Sequence, residues 1–455
     1  MDNIRGAQGE LRQRHGHPDT RRTCPSVPAP SWKTLRGYSA AVARGIAGGG
    51  VARELAEREL VTAAGPPASA LSRPTMAEGA GASDPTTMRV ALVHDYLLVL
   101  RGAERTFATM AEVWPEATIH TLLYDEPATV GSFGGRAVRT SALQRLGVRQ
   151  RGFRRLLPLY PFVMQTLDVG DVDVIVSSSS AFAHGVRKPP GAQHVCYCHS
   201  PFRYAWHERG AEIEAASRGL RHVEAAVLGR IRAWDERAAH RVDHYIANSE
   251  ITRQRIEEFY GRDATVVHPP VDVDRFALAE PEDWFLIVGA VMRHKRVDVA
   301  LEAARLAGVR VKVVGAGPEL PRLASAYPSG VDFLGRVDEA ELLRLLPRAR
   351  ALIVPGVEEF GIAAVEAQAA GRPVVGRSAG GTAETVIDGE TGVLVDACDP
   401  RAFAEVLSEV DFSAFSPQRA VQRAADFNPQ RFRTRLGEEV SRLTGSGRQH
   451  LEAVA

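Results

Sequence analysis

Two carboxylates bracket a helix start in the segment EEFGIAAVEAQAAGRPVV, Glu358 to Val375. Glu358 and Glu366 stand seven residues apart in the intervening chain, with Gly361 between them. The buried run ALIVP precedes the segment, so the pattern reads as strand, loop and helix, the helix starting near Gly361. The first turn of a helix has N–H groups without intrahelical partners and carries the positive end of the dipole, which favours an anion. Helical side chains tilt toward the N-terminus, so Glu366, about one turn in, reaches the helix mouth. Two carboxylates beside an anion make little electrostatic sense unless they bind hydroxyl groups. A sugar nucleotide meets those demands: one Glu for a sugar, one for a ribose, and the helix end for phosphate.

Three other spacings carry a chemical reading. Asp171-Val172-Asp173 and Asp272-Val273-Asp274 spell Asp-x-Asp, which can hold a divalent ion on a diphosphate. Such short patterns arise by chance, the first falls where a strand begins, and Lys charge with a helix dipole does the same work, so no metal is expected. His194, Cys196, Cys198 and His199 crowd one segment. On a strand, positions i and i+2 share a face, which sends both thiols into the core; structural zinc usually takes ligands from turns at wider spacing. From Arg136 to Arg155 there are seven Arg and no acidic residue, leading into LLPLYPF at 156–162. A solvated basic face is the plain reading; cations beside exposed Leu, Tyr and Phe also describe a surface that rests on anionic lipid.

The elements that position these groups are legible from Met88 onward. Strands are expected at MRVALVHDY, ATIHTLLY (117–124), DVIVSSS (173–179), HVCYCH (194–199), DHYIANS (243–249) and TVVHPP (265–270). A second series starts at Trp284: WFLIVGA, VRVKVVG, VDFLG, ALIVP, PVVG and TGVLV. Helical stretches between them give βαβ spacing, hence parallel sheets covered on both faces. The reading is an α/β chain of two doubly wound Rossmann-like domains, with ligands beyond the carboxyl ends of the strands, in the cleft the domains share. Residues 1–87 differ: they hold 11 Gly and 8 Pro but only Trp32 and Tyr38 of the aromatic residues, and are expected to be a disordered extension. A net charge of +1 over 455 residues argues against a nucleic-acid partner. Four Cys exclude a disulfide scaffold and fit a reducing, cytoplasmic compartment, and no apolar run is long enough to span a membrane.

Most of residues 88–440 resembles the retaining glycosyltransferases of family 4, which have the GT-B fold. The resemblance rests on HDYLLVLRGAER, LLPLYPFVMQTLDVGDVDVIVSSSSAFAHGV, YCHSPFRYAW, YIANS, VVHPPVDVDRF, GAVMRHKRVDVAL, VVGAGPE and the Glu358/Glu366 segment. It resembles in particular bacterial members that transfer mannose or related sugars in surface-polysaccharide and O-antigen assembly. The expected layout is an acceptor-side domain at 88–270, a linker at 271–283, a nucleotide-sugar domain at 284–410, and C-terminal helices at 411–455 that cross back.

The resemblance implies roles for individual residues. Glu358 would hold hydroxyls of the donor sugar, Glu366 the ribose and Lys295 the pyrophosphate. Phe360, Gly361 and Ile362 would line the helix mouth, and Gly335 and Val337 would lie near the base. His199 would face the cleft beside the reacting sugar, making Glu358, His199 and Lys295 the catalytic set. Family members often carry Arg directly after the Gly at position 289; this chain has Ala290, with Arg293 as the substitute cation. The acceptor-side Gly-Gly-x-Glu turn appears as Arg101-Gly102-Ala103-Glu104. Implied partners are a GDP- or UDP-sugar and a saccharide or lipid-linked acceptor, met at the inner face of the plasma membrane, without a cofactor. A sugar-nucleotide epimerase and a catalytically silent binding protein are the alternatives on the same scaffold; the presence of Glu358, Lys295 and Glu366 favours a transferase over the silent reading.

Overall fold

Short β-branched runs become the strands of two all-parallel sheets. A computed structural model describes residues 88–148, 150 and 152–445; the extension expected over 1–87 lies outside the described residues. The first sheet comprises β1 (Val90–His94), β2 (Thr118–Thr121), β3 (Val138–Thr140), β4 (Val174–Ser179), β5 (Gln193–Cys198), β6 (His244–Ala247) and β7 (Ala264–Val266). Their order is β3-β2-β1-β4-β5-β6-β7. The second comprises β8 (Phe285–Val288), β9 (Val311–Val314), β10 (Val331–Gly335), β11 (Leu352–Val354), β12 (Val374–Arg377) and β13 (Gly392–Val395), in the order β10-β9-β8-β11-β12-β13. Parallel neighbours need crossovers, and helices supply most of them. Those that bear on the site are α1 (Gly102–Val113), α2 (Glu250–Tyr260), α3 (Val297–Ala307), α4 (Ile362–Ala369), α5 (Gly381–Thr385), α6 (Pro400–Glu409) and α7 (Pro429–Leu443).

Strand order reverses between β1 and β4 and again between β8 and β11. A doubly wound sheet opens a crevice at such a switch point, outside the carboxyl ends of its strands. At the first switch Asp95 follows β1 and accepts hydrogen bonds from the backbone N–H of Ser180, Phe182 and Ala183, at 2.7, 2.7 and 2.6 Å. It is a buried carboxyl whose pKa is raised by burial, with the three N–H groups acting in the opposite direction. Asp95 thus pins the turn after β4 to the end of β1.

Each sheet has its own apolar core. Leu92, Ile119, Val176, Val195 and Tyr197 pack with Phe107 and Met110 of α1, and with Phe432, Leu436 and Val440 of α7. The C-terminal helix therefore completes the core of the first sheet after the chain has passed through the second. In the second sheet Phe285, Ile287, Val311 and Val313 pack with Val297 and Leu301 of α3 and Phe403 and Leu407 of α6. The described residues cluster by contacts into one unit of 88–206 with 231–445 and a smaller one of 207–230, which contains the helix Arg209–Ala215.

All twelve strands expected from sequence form, and β3 is an addition. Its residues Val138, Arg139 and Thr140 lie inside the Arg-rich stretch, and Arg136 just before them is no surface charge. Its guanidinium donates to the carbonyls of Ala111, Trp114 and Ala117 at 2.7, 2.6 and 3.2 Å, closing the end of α1. Tyr160 is likewise fully buried, correcting its expected place on an apolar surface. Among the described residues no helix is long and apolar enough to cross a membrane.

Leu436 is fully buried, so Leu436→Ala removes three carbons from a packed core and is expected to cost about 3 kcal/mol. Thermal unfolding reads this directly; a midpoint equal to that of the unaltered chain would show that α7 contributes nothing to the first sheet's core.

Candidate active site

The second switch point is built from backbone brought into contact with backbone. The chain leaves β8 through Gly289 and Ala290 and makes a tight turn at Arg293–Lys295. Three glycines let other strands' ends lie against this loop. A Cβ on Gly315 would sit 1.8 Å from the Gly289 carbonyl oxygen, one on Gly317 2.2 Å from that of Val291, and one on Gly356 2.7 Å from that of His294. The motif VVGAGPE therefore has its glycines for close approach, and Lys295 is carried to the end of β11.

From β11 the chain runs through Pro355 and Gly356 to Glu358, which is bridged to Gly380. The Gly381 N–H donates to the Glu358 carbonyl at 2.8 Å, and a Cβ on Gly381 would lie 2.1 Å from the Phe360 Cα. Gly361, at φ 88°, turns the chain into α4. Glu358 forms an ion pair with Lys295, both side chains being largely buried. One turn into α4, Glu366 pairs with Arg275, which also pairs with Glu339. Burial raises the Glu366 pKa, opposed chiefly by Arg275.

The neighbouring Glu359 faces the first sheet. Arg203, in the loop after β5, reaches it at 3.2 Å, and Arg255 of α2 at 3.5 Å; Arg203 also lies 3.3 Å from His294 Nε2. Burial acts to raise the Glu359 pKa, but Arg203, Lys295 and Arg255 hold it down at about 2. His199 follows β5 and is buried, with Nε2 2.8 Å from Ser178 Oγ, which in turn is 3.1 Å from His94 Nδ1. Burial lowers the His199 pKa to about 4, so the ring is neutral at pH 7. On the same side the Arg101 N–H donates to Glu104 at 3.0 Å, and a Cβ on Gly102 would lie 2.8 Å from Ile362 Cδ1. Glu104 is buried and its pKa is pushed up to about 7 by that burial. A further contact joins the halves: Glu384 of α5 accepts from the Glu250 N–H at 2.9 Å, at the start of α2, and lies 3.1 Å from His268 Nε2.

The structure thus brings Lys295, Glu358, Phe360, Gly361, Ile362 and Gly102 to one place, with His199 close enough to Glu359 to feel its charge. Arg293 lies exposed on the Lys295 turn. Gly335 ends β10 at φ 66°, where its carbonyl accepts from the Gly315 N–H at 2.6 Å, and Val337 packs on the core beside α4. Asp171 and Asp173 are both held by Arg89, at 2.5 and 2.7 Å. Cys196 and Cys198 lie in an apolar cluster with Val242 and Tyr245, and His194 Nε2 is 2.8 Å from Ser177 Oγ. Glu359, Arg203, Arg255 and Arg275 escaped the sequence reading. The doubled Glu before Phe-Gly was the available signal for the first; the arginines have none, since their ion-pair partners are 64 to 156 positions away.

Glu359→Gln removes the carboxylate between two guanidinium groups. The expected loss is about 2 kcal/mol, between the values for exposed and fully buried pairs, read as a lowered thermal midpoint that Glu359→Asp partly restores. Equal midpoints for all three proteins would remove this ion cluster from the forces that hold the halves together.

Comparison with known proteins gives the same architecture. The family profile described as Glycosyltransferase Family 4 matches residues 100–275, and that of Glycosyl transferases group 1 matches residues 271–424. The D-inositol 3-phosphate glycosyltransferase of Mycolicibacterium smegmatis is 34% identical over 204 residues, 39% of this chain and 47% of that protein. The chain spans about half the length of the curated relatives it matches. Among solved structures, Anabaena HepE in complex with UDP and glucose aligns with a TM-score of 0.58 at 18% identity, covering 78% of this chain and all of that one. Sucrose-phosphate synthase of Thermosynechococcus elongatus gives 0.60 at 17% identity, over 79% and 100%. At such identities the likeness is one of fold.

Proposed function

We propose that this glycosyltransferase of GT-B type, with its family 4 and group 1 domains, moves a hexose from a nucleoside diphosphate to a saccharide or lipid-linked saccharide with retention of configuration. The observation that carries the reading is the meeting of Lys295, Glu358 and the N-terminus of α4 at the β8/β11 switch. The donor is a GDP- or UDP-sugar, mannose in our reading, and the setting is surface-polysaccharide synthesis. Solved proteins of the same fold are described with UDP and UDP-glucose bound, which supports a nucleotide-sugar donor.

The chemistry follows from charge. Breaking the bond between the anomeric carbon and the phosphate oxygen develops negative charge on the leaving diphosphate and oxocarbenium character on the sugar. In this reading Lys295, Arg293 and the N–H groups at the start of α4 stabilise the phosphate. Glu358 takes sugar hydroxyls when Lys295 turns to the diphosphate. With retention, the acceptor hydroxyl attacks the face the phosphate leaves, and that phosphate receives its proton. His199, neutral at pH 7, serves as a hydrogen-bonding partner to the sugar and carries no charge to it.

Incubation with labelled GDP-mannose, UDP-glucose and UDP-N-acetylglucosamine, with and without membrane extract, tests the assignment. Label should move only when acceptor is present, and Glu358→Ala or Lys295→Ala should reduce transfer by about a hundredfold or more. Unchanged turnover in both variants would sink the site, and an inverted anomeric signal in the product's NMR spectrum would sink retention.

The basic stretch supplies the membrane side of the proposal. Arg139, Arg145, Arg154 and Arg155 are exposed there, beside exposed Leu146, Leu159 and Phe162. Cations flanking such side chains suit peripheral contact with anionic lipid. In flotation, the protein is expected to rise with phosphatidylglycerol-containing vesicles and not with neutral ones, and Phe162→Asp should weaken recovery. Equal recovery with both vesicle types, or none, would count against this contact.

A further inference from the structure

We propose that Arg275 is a positioning residue for the donor's ribose: from the segment joining the two sheets it clamps Glu366, leaving one carboxylate oxygen to accept ribose hydroxyls at the mouth of α4. The inference rests on the reading of Glu366 as the ribose ligand and extends it to a residue that this reading does not contain.

The geometry is specific. Arg275 lies between β7 and β8, on neither sheet. Its guanidinium is fixed on three sides. NH2 pairs with Glu366 Oε1, NH1 pairs with Glu339, and the Phe276 ring lies 4.8 Å from the guanidinium carbon. Both members of the inner pair are nearly buried, at 13% and 9% side-chain exposure. An arginine held this way cannot swing to a ligand without leaving two carboxylates behind. It can, however, dictate where the Glu366 carboxylate points. Arg275 engages Oε1 of Glu366 and not Oε2, and the tilt of a helical side chain sends the carboxylate toward Ile362 and Gly361.

Arg275 also sets the form of that carboxyl. The charged groups facing Glu366 are Arg275, Arg105 of α1 and Glu339 at the start of the helix Glu339–Leu345. Burial and Glu339 favour the protonated acid; the two arginines favour the carboxylate. A protonated acid has a weaker acceptor for two ribose hydroxyls, because charge-assisted hydrogen bonds are the stronger kind. Removing Arg275 therefore both frees the side chain and raises its pKa further. Because the arginine sits on the connecting segment, the grip on ribose is tied to the path of the chain between the sheets.

Calorimetric titration of the full-length chain with UDP and GDP, and with the 2′,3′-dideoxy form of whichever binds, separates the possibilities. Arg275→Gln is expected to weaken the ribonucleotide roughly 10- to 100-fold and to leave the dideoxy form within about twofold of wild type. Arg275→Lys should recover part of the loss. As pH falls, ribonucleotide binding to Arg275→Gln should be lost at a higher pH than in wild type, with no such difference for the dideoxy form. Equal weakening of both nucleotides would overturn the proposal, since Arg275 would then act on the fold or on the phosphates. Wild-type protein that binds the two forms equally would instead overturn the ribose role of Glu366. Should Arg275→Gln not fold, Arg275→Lys carries the same comparison, with a smaller ribose-selective loss expected.

Discussion

A carboxylate placed in a part-buried crevice needs a cation beside it, because leaving the charge unpaired costs several kcal/mol. Glu358, Glu359 and Glu366 lie within nine residues of one strand–loop–helix segment and are 15%, 17% and 9% exposed. Each takes its cation from a different part of the chain. Lys295 comes from the loop after β8, Arg203 and Arg255 from the side of the first sheet, and Arg275 from the connection between sheets. Neutralising one short segment therefore gathers residues from 203 to 295 around it. The crevice is shaped by this pairing as much as by the sheets.

The pairing works only because the scaffold is exact at the backbone. Parallel sheets place all strand ends that matter on one side, and bare Cα atoms at Gly315, Gly317 and Gly356 let the Lys295 loop settle against neighbouring strand ends. Gly381 does the same for Phe360. A methyl group at any of these points would separate chains whose distance decides whether Lys295 can reach Glu358. The glycines are thus part of the electrostatics, although none carries a charge.

Sequence patterns revealed what depends on neighbours in the chain. Among the described residues, alternation of apolar runs with helices located every strand but β3, whose three residues include an exposed arginine and sit at a sheet edge, where there is little to bury. Glu358, Gly361 and Glu366 were legible because a strand, a glycine and a helix start are local signals. Arg136 misled, since a guanidinium that caps three carbonyls looks in sequence like one that faces water. Arg203, Arg255 and Arg275 were silent for a related reason: their ion-pair partners lie 64 to 156 residues away along the chain. Tertiary ion pairs have no period for a pattern to catch.

The two halves are joined by contacts of different physical kinds. On one side α7 buries Phe432, Leu436 and Val440 in the first sheet's core, and separating it would expose apolar surface at a cost that grows with area. On the crevice side the links are Glu359 with its arginines and Glu384 with the α2 N-terminus and His268. The arginines that hold Glu359 are part-exposed, at 28% and 16%, so water screens these pairs in part. The carboxylates and cations that line the crevice are the groups a charged ligand meets there.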